Sequence, residues 1–201
     1  MSVLTKIFDL FKSPFSHVEA SELYVTIVQQ ARQPDFYLKF QVADTVDGRF
    51  DMVALHVYLT LRRLKNDPDQ TKEFSQSLFD LMFADMDQNL REMSIGDTGV
   101  AKRMIKMAEG FYGRAKAYNQ ALDMIKDMTK EMEDTEQGKA DLEKAVLRNI
   151  YRNTPVTDSS VAAMASYIIN QSSSLDQQPT DGFLAGKIHF SLPDYEGPDP
   201  S

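Results

Sequence analysis

From Phe50 to Leu64 the chain is apolar on two faces of one helix. Phe50, Val53, Ala54, Val57, Leu61 and Leu64 recur at helical spacing, and Met52, Leu55 and Leu59 load the other side. A helix with no polar face must sit centrally, with other elements packed around it. The residues before it are polar: Asp44-Thr45-Val46-Asp47-Gly48-Arg49-Phe50-Asp51. Asp44 or Thr45 supplies a cap for free N–H groups, and Asp47 lies near the positive helix end. A cap needs one such residue. The cluster Asp44, Asp47, Arg49 and Asp51 therefore reads either as a polar network or as a partner-binding surface. His56, inside this helix, reads as a hydrogen-bonded core residue rather than a ligand.

The rest of the chain supplies partners of the same type. Met1 to Phe15 forms a short amphipathic helix with Phe8 and Phe11 beside Lys6 and Lys12, ended at Pro14. Packing on the body is the favoured reading; contact of Phe8 and Phe11 with a membrane or client competes. Ser16 and Glu19 have capping-box spacing and open a helix that Pro34 ends. Asp35 to Val42 is aromatic and reads as irregular. Asp67-Pro68 opens a helix carrying Phe74, Leu78, Leu81 and Met82. The longest helix starts at Asp97 or Thr98 and runs past Leu122, and the acidic stretch Glu131 to Gly138 ends it. Its line Gly110, Gly113, Ala117, Ala121 predicts close approach of another backbone, since two interior glycines cost about 1 kcal/mol each. A local bend is the alternative. Helices over Lys139–Arg152 and from Asp158 to Ile169 complete the set. With no repeat and no strand alternation, the fold is expected to be all-α. It comprises an N-terminal helix (1–15), a helical domain (16–171) and a mostly flexible tail (172–201), with about six to seven helices in all. Phe183 to Phe190 is a possible extended strap within that tail.

Chemistry is conspicuous by what is missing. The chain has no cysteine, which removes disulfides, thiolate nucleophiles and Cys-based metal sites. A net charge of −8 disfavours direct nucleic-acid binding and broad docking on anionic lipid. No apolar run reaches the roughly 18 residues of a membrane span, and the first residues lack the basic start and long apolar core expected of a signal peptide. These features predict a cytoplasmic protein, with peripheral contact at the inner face of the membrane as a further expectation. Neither His-Glu-x-x-His nor a di-iron Glu-x-x-His pair occurs. Asp85-Met86-Asp87-Gln88-Asn89 opens like a calcium loop but puts Leu90 where glycine belongs. Asp87 and Arg91 instead have the spacing of a helix ion pair. Asp123 and Asp127 lack the second acidic motif of a prenyl-diphosphate enzyme. The chain reads as a non-enzyme, with no cofactor and no metal. Of its 11 methionines most are assigned to core filling. Met124, Met128 and Met132, spaced four apart where the helix turns charged, are the interface candidates.

Four ordered segments resemble one family. Leu23-Tyr24 through Gln29-Gln30-Ala31-Arg32, then Pro34, Phe36 and Tyr37, resemble its first motif. Asp44 through Asp51 into Leu61-Arg62-Arg63-Leu64 resembles the second. Leu78-Phe79-Asp80 through Asp85-Met86-Asp87 and Asn89-Leu90-Arg91-Glu92 resembles the third. Val100-Ala101-Lys102-Arg103 through Phe111-Tyr112-Gly113-Arg114 and Tyr118 resembles the fourth. The family is the ubiquinol–cytochrome c chaperones, assembly factors for the cytochrome bc complex. Where it usually has glycine-proline before the Asp-Thr motif, this chain has Gln41-Val42-Ala43. The resemblance implies an all-helical chaperone that binds newly made cytochrome b or its nascent chain. It also implies a small second assembly subunit and a position near the ribosome as further partners. Arg62 and Arg63, from the second motif, join the candidate partner-binding residues.

Overall fold

The computed structural model describes residues 17–93, 96–126, 132–152 and 154–195. Among these residues every regular element is helical: α1 (His17–Ala31), α2 (Pro34–Leu38), α3 (Val46–Leu64), α4 (Pro68–Glu92), α5 (Asp97–Lys126), α6 (Met132–Val146), α7 (Asp158–Asp176) and α8 (Thr180–Leu184). Helix α6 continues into a π-helical turn over Leu147–Tyr151. Phe8, Phe11 and Met128 lie outside the described residues.

Helix α3 is central, as its two apolar faces require. It packs on α1, α4, α7 and the π-turn, and Met52, Val57, Leu59 and Leu64 are fully or almost fully buried. Its first turn is capped by Thr45, whose Oγ1 accepts from the Gly48 amide at 3.1 Å. The segment expected to be irregular contains α2 instead, started by Pro34 at its first position. That turn sinks Phe36 beneath His56 and Tyr167, at ring distances of 5.6 and 5.0 Å.

His56, Tyr167 and Gln30 form one buried chain of hydrogen bonds. His56 Nδ1 donates to the Met52 carbonyl at 2.8 Å, which leaves Nε2 to accept from the Tyr167 hydroxyl at 2.7 Å. Tyr167 in turn accepts from Gln30 Nε2 at 2.9 Å. Burial pushes His56 down to about 4, against the pull of the Met52 carbonyl, so the ring is neutral at pH 7. The histidine is a core residue, as its position in α3 suggested.

Beyond Ser172 the chain does not start as a mobile tail. Helix α7 continues to Asp176 and buries Leu175. Arg63 then fastens the segment from Gln178 to Phe183, and its burial corrects its reading as a partner-binding residue. Its guanidinium donates to Asp67 Oδ2 (2.9 Å), the Gln178 carbonyl (2.9 Å) and Thr180 Oγ1 (3.1 Å), and lies 5.3 Å from the Phe183 ring centre. The strap after α8 has no strand neighbour, so side-chain amides satisfy its backbone. Gln178 exchanges two hydrogen bonds with His189 (2.7 and 3.0 Å), and Gln171 does the same with Ser191 (both 3.1 Å).

The expected seam is not a contact at its two glycines, although its Ala121 end is packed. A Cβ on Gly110 or Gly113 would meet nothing within 4 Å. The close approach is made by Gly138, which lies inside α6 rather than ending α5. A Cβ there would come within 2.9 Å of Ile125 Cγ1, 3.0 Å of Met124 Cβ and 3.1 Å of the Ala121 carbonyl oxygen. The small residue needed by the α5–α6 pair is therefore on the second helix, where the acidic sequence around it hid the role. Gly138→Leu is expected to lower stability by about 1–3 kcal/mol through overpacking. Gly113→Leu should leave it unchanged or raise it by up to about 1 kcal/mol, since the position faces open space and leucine is the better helix former. Thermal melts of the two variants followed by circular dichroism test the contrast, and equal losses would refute it.

Candidate functional site

A groove of about 780 Å³ opens between the start of α3, the second half of α4 and the first half of α5. All four family-like motifs reach it: Arg32 from the first, Asp47 and Arg49 from the second, Asp85, Met86, Asn89 and Leu90 from the third, and Arg103, Lys106, Met107, Gly110 and Arg114 from the fourth. The floor includes Val53, Met86 and Leu90, all buried, with half-buried Met107 beside them. Val46 (53% exposed) and Met93 (47% exposed) stand at the rim.

The walls are cationic. Arg32, Arg49, Arg103, Lys106, Arg114 and Arg152 line the groove, against the carboxylates Asp47 and Asp85. Three of these cations are already engaged. Asp51 is 3% exposed and sits behind the wall, 2.6 Å from Arg114 Nη1 and 2.7 Å from Arg152 Nη2. Burial pushes its carboxyl up to about 6, and the two guanidiniums pull the other way. Arg152 reaches it from a left-handed backbone (φ 53°) just past the π-turn, and comes within 3.6 Å of Asp47. Arg49 pairs at the surface with Asp44 at 2.6 Å, and this hydrogen bond holds the Asp44 carboxyl below the usual range. Arg32, Arg103 and Lys106 have no ion-pair partner among the described residues and are exposed. Asp85 is held by the Tyr24 hydroxyl at 2.7 Å and Asn89 Nδ2 at 3.1 Å.

The cluster Asp44, Asp47, Arg49 and Asp51 thus divides. Asp47 and Arg49 line the groove and Asp44 braces Arg49, whereas Asp51 is a buried anchor and not a contact surface. Arg62 lies away from this groove and ties α3 to α5, donating to Asn119 Oδ1 (2.5 Å) and Asp123 Oδ1 (2.6 Å). Asp123 therefore serves as an ion-pair partner. Met124 is half-buried against Gly138, and Met132, 83% exposed, remains a surface residue. The predicted Asp87–Arg91 pair is present at 2.5 Å. Sequence reasoning missed Lys106 and Arg152 and gave Arg32, Arg103 and Arg114 no role. Arg103, Lys106, Gly110 and Arg114 are spaced three or four apart, so one face of α5 carried the signal. Arg152 had none.

Among the described residues no acidic or histidine cluster is spaced to hold a metal ion, and no helix is long and apolar enough to cross a membrane.

Residues 38–190 match the family described as ubiquinol-cytochrome C chaperone. Human ubiquinol-cytochrome c reductase complex assembly factor 1 is 27% identical over 105 residues, which are 52% of this chain and 35% of that protein. The Xenopus laevis protein of the same description is 25% identical over 105 residues, 52% of each chain. The chain thus spans between about a third and a half of these relatives. The crystal structure of the Cbp3 homolog from Brucella abortus superimposes with a TM-score of 0.73 at 34% identity, covering 87% of this chain and 89% of that one. The match over residues 38–190 contains every groove residue except Arg32 and every helix from α3 onward, and the family is one of chaperones, not enzymes: the chain belongs to the ubiquinol-cytochrome C chaperone family.

Proposed function

We propose that this chain is an assembly chaperone for the cytochrome bc complex, acting on cytochrome b at the cytoplasmic face of the membrane. The convergence of four family-like motifs on one groove supports this reading most directly. The groove's residues come from five separate stretches of chain, and several of them, Arg49 and Met93 among them, are exposed and bear on nothing the core needs. An apolar floor edged by methionines suits a client whose hydrophobic helix surface awaits its partners, because the thioether chain adapts to varied shapes. The remainder of the surface, on a chain of net charge −8, keeps such a complex dispersed.

Deleting the gene should lower assembled cytochrome bc complex and its haem-loaded cytochrome b while other respiratory complexes stay near normal. Spectra of reduced membranes and native gels measure both. Pull-down with the tagged protein from detergent-solubilised membranes should recover cytochrome b. Normal haem-loaded cytochrome b in the deletion strain would overturn the reading.

A further inference from the structure

We infer that the groove receives a short carboxylate-bearing segment of the client, whose apolar side chain enters the open space at Gly110. This inference rests on the chaperone reading and names the chemistry of the bound segment. Two independent observations carry it. The first is charge. On an acidic chain, six cations gather around two carboxylates in one groove. Arg114 and Arg152 share the single carboxylate of Asp51 behind them, and Arg49 pairs with Asp44 at the side. Arg32, Arg103 and Lys106 are left without an ion-pair partner among the described residues. Such cations attract an anionic partner and orient it as it docks. The second observation is shape. Gly110 lines the groove on the same face of α5 as Arg103, Lys106 and Arg114, and nothing lies within 4 Å of where its Cβ would be. An interior helical glycine weakens a helix, and no neighbouring backbone here explains it. The missing side chain leaves open space in the groove that Met86, Leu90 and Met107 also line, where an apolar residue with carboxylates on either side can sit.

A peptide fits this arrangement better than a lipid surface does. The apolar floor is recessed between walls from three helices, so a flat membrane would meet the rim and leave the floor empty. A protruding segment reaches both.

The test uses the full chain and a fluorescent 15-residue amphipathic peptide with glutamates flanking one leucine face. Binding is followed by anisotropy at low and high salt. The expected result is affinity about ten-fold above that of the glutamine counterpart, falling as salt rises. Arg103→Glu with Lys106→Glu should weaken binding about ten-fold. Gly110→Leu should abolish it by filling the space, and circular dichroism should show both variants folded with an unchanged or higher melting temperature. Equal binding of the two peptides, or full binding by folded Gly110→Leu, overturns the inference. So does co-sedimentation with phosphatidylglycerol-containing vesicles but not neutral ones when the peptide fails to bind. Pull-down of cytochrome b runs in parallel. If the wild type captures it and the charge-reversed variant does so equally, the chaperone reading stands and this inference falls. If the wild type captures none, the client reading fails and takes the identity of the segment with it.

Discussion

Asp51→Ala is expected to lower stability by about 3 kcal/mol, near the lower bound for breaking a buried ion pair. In a chain of this length that lowers the melting temperature by on the order of ten degrees. The carboxylate is buried between Arg114 and Arg152. Removing it leaves two guanidiniums facing one another with no carboxyl oxygen between them, which the wild type supplies whether the group is protonated or ionised. Arg152 is half-exposed and can turn to water, which keeps the loss from the upper end; Arg114 is mostly buried and cannot. Urea unfolding followed by circular dichroism measures the loss. A change below about 1 kcal/mol would mean that the site behaves as an exposed pair. The pH dependence supplies a second readout. Burial raises the folded carboxyl to about 6, above the ordinary carboxylate range it has when unfolded. The folded state therefore holds this proton more tightly. The stability it contributes is full below the unfolded value and is lost as pH rises through about 6. Relative to Asp51→Asn, the wild type should become less stable between about pH 4 and pH 7 and then level off.

Gly48→Val is the other substitution expected to act strongly. A Cβ at this position would fall on the carbonyl oxygen of Ala43, which is backbone and has no rotamer to escape through. The same turn carries the Thr45 cap on the Gly48 amide, so any shift that relieves the clash opens the first turn of α3. That helix is the centre of the core, and its first turn sets Asp47 and Arg49 in the groove. The expected loss is at least about 3 kcal/mol, beyond ordinary overpacking because the obstacle is main chain. Gly110→Leu and Gly113→Leu should both leave the fold intact, since each faces open space. A melting curve of Gly48→Val that overlays the wild type would show that the turn can relax at little cost.

The helical periods alone determined the all-α class and the placing of α3 at the centre. Both come from local spacing: a segment apolar on two faces cannot be solvated, whatever surrounds it. Thr45 as a cap, Asp87–Arg91 as an i,i+4 pair and His56 as a core residue were legible for the same reason, because their partners lie within one turn or their position already implies burial. The motif residues also marked the groove, though not its shape. Tertiary structure alone decided where distant parts meet. Asp51 pairs with Arg152, 101 positions away, through a left-handed turn that no spacing rule predicts. Arg63 and Arg62 look alike in sequence, yet one is sunk under the C-terminal segment and the other bridges to α5. Glycine spacing likewise does not say which helix comes close: Gly138 is packed and Gly110 is open because contact depends on what lies opposite. A sequence records the face each residue takes on its own helix. What covers that face is set only when the helices pack.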